Sequence, residues 1–203
     1  LGENSLTVIQ NGRDAKVNGI ETDVSYVSGG LTLNAAAAYT NARTKQAVCF
    51  VSLDDDPDCG TLFVNDPADP PDDVQDFIVT PEDARLPVTP KFKASATARY
   101  AWPVWSGRAH VQGVISYRGS ARVDTRYNIG GPTTPLDPES YFGRIRASTL
   151  VDTFLGYSWG DYTAELFSTN LFDKRNDLVR FTACGGCTQV RFVPGRPRTI
   201  GLW

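Results

Sequence analysis

The chain has 203 residues, with 20 Lys and Arg against 23 Asp and Glu and a formal charge of −3. That mild acidity argues against nucleic acid as a partner, which favours a basic face, and no apolar run approaches the ~18 residues of a membrane-spanning helix. The length allows one domain, 1–203, with a sizeable core, and the ordinary apolar content of 41% leaves open a sheet that turns only every second strand residue to lipid.

In chain order, residues 5–14 read as the end of a strand and a tight reversal at Asn11-Gly12. Lys16 to Val27 then alternates. Ile20, Thr22, Val24 and Tyr26 share one face, and Gly19, Glu21, Asp23 and Ser25 the other. A slip of one residue would turn two carboxylates onto the apolar side, so the register is well specified. After Ser28-Gly29-Gly30, Leu31 to Asn41 repeats the pattern, with Leu31, Leu33, Ala35, Ala37 and Tyr39 on the apolar face.

Arg43 to Thr89 reads as a long loop. Between Gln46 and Ala84 it holds eleven Asp or Glu and no Lys or Arg, with frequent Pro, and such a segment has no evident core of its own. Lys91 to Trp102 alternates cleanly, Phe92, Ala94, Ala96, Ala98, Tyr100 and Trp102 against Lys91, Lys93, Ser95, Thr97 and Arg99. Arg108 to Arg118 answers it across the short turn Pro103–Gly107. A second long loop runs from Asp124 to Arg146. Val151, Thr153, Leu155, Tyr157 and Trp159 then form another apolar row, which Phe154 interrupts by pointing to the polar side. Gly160-Asp161 turns into a strand read as Tyr162 to Phe172. A third long loop, Asp173–Val193, precedes a last strand read as Pro194 to Trp203.

These make about seven antiparallel strands, joined by connections that alternate strictly between short and long. Outer-membrane barrels have this asymmetry, with short periplasmic turns and long extracellular loops. Tyr26, Tyr100, Trp102, Tyr157, Trp159 and Tyr162 sit near the short turns, as an interfacial aromatic girdle does. A soluble sandwich would put its apolar face inward against a second sheet. Here the second face carries Lys, Arg, Glu and Asp, which suits a wet lumen better than a dry core.

Particular stretches carry a family resemblance. Asn170-Leu171-Phe172-Asp173-Lys174 is similar to the motif that closes the second-to-last strand of TonB-dependent outer-membrane receptors. Gly195-Arg196-Pro197-Arg198-Thr199 is similar to the motif that opens their last strand. Gln10-Asn11-Gly12 with Val17-Asn18-Gly19-Ile20-Glu21 resembles a strand opening of the family, and Leu86-Pro87-Val88-Thr89-Pro90-Lys91 resembles its entry to a downward strand. Tyr117-Arg118 sits where the family often has Tyr-Arg. The resemblance implies an all-β fold, an antiparallel transmembrane segment forming the C-terminal third of a barrel of roughly 22 strands. It implies a plug domain and a TonB-engaging motif upstream. The chain has no Met and opens at Leu1 without a signal peptide, so it reads as part of a longer polypeptide. Trp203 reads as falling short of the terminal aromatic residue of the family.

The function implied by resemblance is active uptake, without chemistry on the substrate, of a scarce nutrient: a ferric siderophore, cobalamin or an oligosaccharide. The implied location is the outer membrane of a Gram-negative cell, and the implied partners are outer-membrane lipid and the TonB complex. No cofactor is implied. The alternative is a small stand-alone, structural or adhesive outer-membrane barrel without active transport. An outer-membrane enzyme is a further class, but no Gly-x-Ser-x-Gly elbow is present, and His110, the sole histidine, lies near a short turn, on the wrong side for an outer-rim catalytic site.

The inward basic residues Lys91, Lys93, Arg99, Arg108 and Arg118 are candidates to attract an anionic ligand. The plainer expectation is that they pair with Glu21, Asp23, Asp152 and Glu165 or with plug groups. Asp54, Asp55, Asp56 and Asp58 invite a cation, yet they lack the regular spacing and glycine of an EF-hand loop, and a solvated loop is the plainer reading. The four cysteines fall into local clusters. In an oxidising compartment they are expected as disulfides Cys49–Cys59 and Cys184–Cys187. Free thiols, or a metal on Cys184-x-x-Cys187, are the alternatives.

Overall fold

The computed structural model describes residues 14–50, 77–125, 138–182 and 189–203. Its elements in chain order are β1 (Ala15–Ser28), β2 (Leu31–Thr44), β3 (Val48–Phe50), β4 (Phe77–Thr80), β5 (Phe92–Val104) and β6 (Gly107–Arg118). A short helix α1 (Pro138–Phe142) follows, then β7 (Ser148–Trp159), β8 (Tyr162–Thr169), β9 (Asp177–Thr182), β10 (Val190–Pro194) and β11 (Thr199–Leu202). Seven strands form one antiparallel sheet in sequential order, β1-β2-β5-β6-β7-β8-β11. The pairs β3–β4 and β9–β10 are separate two-stranded ribbons within the long connections. No described helix is long and apolar enough to cross a membrane.

The register turns the alternation of each strand into two continuous faces. Val24 lies opposite Ala35, Ala35 opposite Ala96, Ala96 opposite Ile115, and Ile115 opposite Val151. Tyr26, Leu33, Ala98, Gly113 and Thr153 form the next such row. Side chains on this face have no second sheet to cover them, and Ile20, Val24, Tyr100, Val111, Ile115, Leu155 and Leu166 are exposed. The other face runs Asp23, Ala36, Ser95 and Ser116 along one level. Phe154 lies on it, opposite Gln112 and Phe167.

Short turns gather at one end. Gly30 has φ 90°, and a Cβ there would meet the Ala101 carbonyl at 2.3 Å, so this turn closes only on glycine. The aromatic residues stack beside the turns: Tyr100 on Trp102 at 5.6 Å, Tyr157 on Trp159 at 5.4 Å, and Trp159 on Tyr162 at 6.0 Å between centroids. Trp105 meets Tyr157 edge-on at 6.2 Å.

The buried apolar side chains, Ala42, Ala84, Ala121, Phe142 and Ile145, lie at the opposite end, where the long connections join the sheet. This corrects the reading of Arg43–Thr89 as loop throughout. β2 continues to Thr44, and residues 83–86 hydrogen-bond along its edge, Thr44 N to Ala84 O at 3.0 Å and Leu86 N to Ala42 O at 3.1 Å.

Two strand limits also differ from the sequence reading. β8 stops at Thr169 rather than Phe172, because Asn170 adopts φ 51° and leaves the strand. The last sheet strand starts at Thr199 rather than Pro194. Pro194 ends β10, which pairs with β9, and Pro197 has no N–H to give a ladder.

Candidate functional site

The polar face is built by residues that alternate with the apolar rows. Its basic residues are spread along the wall rather than gathered at one point. Lys93 lies directly opposite Arg118. Arg99 is six residues down the same strand, about 20 Å away at strand rise, and donates to Gln112 Oε1 at 3.3 Å. Arg108 is opposite Pro103 and Ser158, beside a short turn. Lys91 precedes β5, its carbonyl accepting from the Thr40 amide at 2.8 Å.

Pairing with the wall's own carboxylates is not what the geometry gives. Among the described residues, none of the five cations forms an ion pair with Glu21, Asp23, Asp152 or Glu165. Arg118 donates instead to the Asp177 carbonyl at 2.7 Å, tying β6 to β9. Glu21 shares a level with Lys93 across Ala38. Two inter-strand steps separate their Cα atoms by about 10 Å. Glu21, Asp23, Ala36, Ala38, Lys93 and Ser95 thus line an open trough. Its floor is methyl groups, with carboxylates on one bank and an ammonium and a hydroxyl on the other. Lys93 and Arg118 are like charges set opposite each other, which is unfavourable unless an anion lies near.

Near the short-turn end His110 is buried and pairs with Glu165, Nε2 to Oε2 at 2.9 Å. The two residues flank Gly156 on β7. A Cβ on Gly156 would lie 2.1 Å from His110 Cε1, so the ring occupies the space that glycine leaves. Trp203 Nε1 donates to the second oxygen of Glu165 at 3.3 Å. The sequence showed His110 as a lone histidine; its partner is 55 residues away and brought close only by the β6-β7-β8 register.

Asn170 is a buried polar residue of the long-connection end with every side-chain polar atom hydrogen-bonded. It is 2% exposed. Its side-chain NH2 donates to the carbonyls of Lys174 at 3.1 Å and Arg196 at 2.8 Å, and its Oδ1 accepts from the Lys174 amide at 2.8 Å. Its own amide donates to Asp152 Oδ1 at 2.7 Å. Asp173, also at positive φ, accepts from the Arg198 amide at 3.1 Å. The two motifs read from the sequence, 170–174 and 195–199, therefore hold each other: the first clamps the backbone that delivers the second into β11.

The aspartates Asp54, Asp55, Asp56 and Asp58, the side chain of Cys49, and Cys59, Cys184 and Cys187 lie outside the described residues. Among the described residues no group of three or more His, Cys, Asp or Glu side chains is placed to hold a metal ion.

Residues 2–171 match the family described as TonB dependent receptor-like, beta-barrel. No curated protein sequence matches the chain. Among solved structures the chain is similar to the crystal structure of the ferric yersiniabactin uptake receptor FyuA from Yersinia pestis. The identity is 14% and the TM-score 0.50, over 93% of this chain and 29% of that receptor. The chain thus spans under a third of that receptor's length, and the shared feature is the fold. A sequential antiparallel sheet, apolar on one face and polar on the other, with short turns at one end and long connections at the other, is what a barrel wall of this kind requires. The chain belongs to the TonB-dependent receptor family, as part of its outer-membrane β-barrel.

Proposed function

We propose that this chain is the wall of an outer-membrane receptor for active uptake of a ferric siderophore, energised through TonB. The observation that carries the reading is the division of the sheet into a lipid-ready face and a charged, wet face, in a chain of this family. On this reading the long connections are extracellular and the polar face lines the lumen. Lys91, Lys93, Arg99, Arg108 and Arg118 make a descending series of cations along that lumen. Free of ion pairs among the described residues, they attract an anionic chelate or carboxylate groups of the plug. The family is one of transporters rather than enzymes, and the wall supplies electrostatics rather than chemistry. The ligand class agrees with the ferric ligand in the name of the similar receptor, whose likeness is one of fold.

The test is uptake of iron-55 by a Gram-negative host expressing the full-length receptor, supplied with a panel of ferric siderophores. Uptake of at least one is expected, lost in a host lacking TonB. Lys93→Gln with Arg118→Gln is expected to raise the concentration for half-maximal uptake several-fold, as the loss of one or two charge-assisted contacts does. Uptake that persists unchanged without TonB would mean a passive pore and end this reading.

A further inference from the structure

Four arginines outside the lumenal series meet at the long-connection end. Arg43, on the last rungs of β2, is bridged to Arg85 in antiparallel register. Three residues on, the Val88 amide donates to the Arg122 carbonyl at 2.8 Å. Ala121 is bridged to Ile145 by two 3.0 Å backbone bonds, which sets Arg122 beside Arg144. These backbones rest on the buried Ala84, Ala121, Phe142 and Ile145, so the arginines project from packed structure.

Among the described residues, two carboxylates form ion pairs with these cations. Asp83 accepts from Arg43 at 2.8 Å. Glu139 accepts from Arg122 through Nε and Nη2, each at 3.3 Å, and its other oxygen accepts from Arg144 Nε. Arg85 forms no ion pair among the described residues, and the ion pairs of the other three guanidiniums there come from Asp83 and Glu139. The Arg85 guanidinium is held below its ordinary pKa, first by burial and then by Arg144, Arg43 and Arg122, with Glu139 opposing. A cation crowded by three others is relieved by an anion from outside.

We propose that Arg85, with Arg43, Arg122 and Arg144, forms a binding site for a phosphate monoester. A phosphate monoester carries a charge of about −1.5 to −2 at neutral pH, so it can face more than one guanidinium at once. Its oxygens suit the fork of a guanidinium, which binds two at once. The phosphate comes either from the headgroup of a lipid in the outer leaflet or from a free phosphate. The lipid source rests on the reading of this rim as the outer surface of the membrane; the phosphate site itself rests on the arginines.

The experiment uses the full-length receptor with two probes. Inorganic phosphate is titrated against chloride at equal ionic strength, reading the thermal midpoint. Phosphatidylcholine vesicles with and without phosphatidic acid are titrated separately, reading binding. Wild type is expected to respond to phosphatidic acid or to inorganic phosphate, and Arg85→Gln to bind about tenfold more weakly. A response to inorganic phosphate assigns a free anion as ligand, and a response to phosphatidic acid alone assigns a headgroup. No response above the controls, or equal affinity in wild type and Arg85→Gln, overturns the proposal. Should Arg85→Gln not fold, Arg85→Lys replaces it; it keeps the charge and loses the fork, and affinity equal to wild type overturns the site as drawn. Iron uptake is measured on the same receptor. Phosphate binding without uptake rejects the transport reading and leaves this site; uptake without phosphate binding does the reverse.

Discussion

Asn170 fixes the exit from β8. Its left-handed backbone is tolerable for asparagine, and its side chain satisfies three backbone groups from two segments. Asn170→Ala keeps neither advantage and is expected to cost about 2–4 kcal/mol of receptor stability. Asn170→Gly restores the backbone and not the bonds, so its unfolding midpoint in urea should fall between the two. Equal midpoints for alanine and wild type would deny the clamp. Gly156 gives a second case. Gly156→Ala pushes a methyl into the His110 ring and is expected to cost about 1–3 kcal/mol. His110→Ala vacates that space, so the double variant should lose less than the sum of the singles; strict additivity would show that the ring does not press on residue 156. Glu139 adds a pH dependence. Its carboxyl is held below its ordinary 4.5, chiefly by the hydrogen bond from Arg144 and further by Arg122, against burial. A carboxylate depressed in this way stabilises fully above its ordinary pKa and loses that contribution as pH falls through the lowered value. Proteolysis around 138–147 is therefore expected to accelerate below about pH 4.5, and not to do so in Glu139→Gln.

At the scale of the element, alternation was legible because a strand has period two and each face here has one solvent. The division of β5 into Ala94, Ala96 and Ala98 against Ser95, Thr97 and Arg99 follows from that period alone. The levels along the wall did not follow, because they depend on register between strands far apart in sequence. Lys93 and Arg118 are cross-strand neighbours while Arg99 and Arg108 are not, and a list of inward residues cannot distinguish these cases. The ribbons β3–β4 and β9–β10, and the packing of Ala84 against β2, were illegible for a related reason. β3–β4 and Ala84 lie in a Pro-rich stretch whose partners are distant in sequence, while β9 and β10 are short strands without a clean alternation of apolar and polar residues. Asn170-Leu171-Phe172-Asp173-Lys174 was legible as a spelling, while its mechanical role emerges only when Arg196 and Arg198 are seen on it. Ala98→Lys places an ammonium among Leu33 and Gly113 on the apolar face and is expected to destabilise the barrel by about 2–4 kcal/mol. Thr97→Lys, one residue away on the polar face, is expected to change stability little. Equal costs in vesicle-reconstituted receptor would show that the two faces have the same solvent.

For the molecule as a whole, β1 and β11 are edges of an open sheet. All fourteen residues of β1 are exposed. Barrels abolish such edges by closing, and an exposed long edge invites pairing with other chains. The 203-residue chain by itself is therefore expected to associate in detergent rather than unfold as a cooperative monomer, which analytical ultracentrifugation with thermal melting can decide. The most direct measurement on the account is a scan of β5 in the full-length receptor in a bilayer, with spin labels placed singly at residues 92–102. Labels at Ala94, Ala96 and Ala98 are expected to relax with lipid-dissolved oxygen. Labels at Ser95, Thr97 and Arg99 should relax instead with a water-soluble reagent. A profile without period two, or one with the two sets exchanged, would contradict the assignment of this sheet as a barrel wall between lipid and lumen.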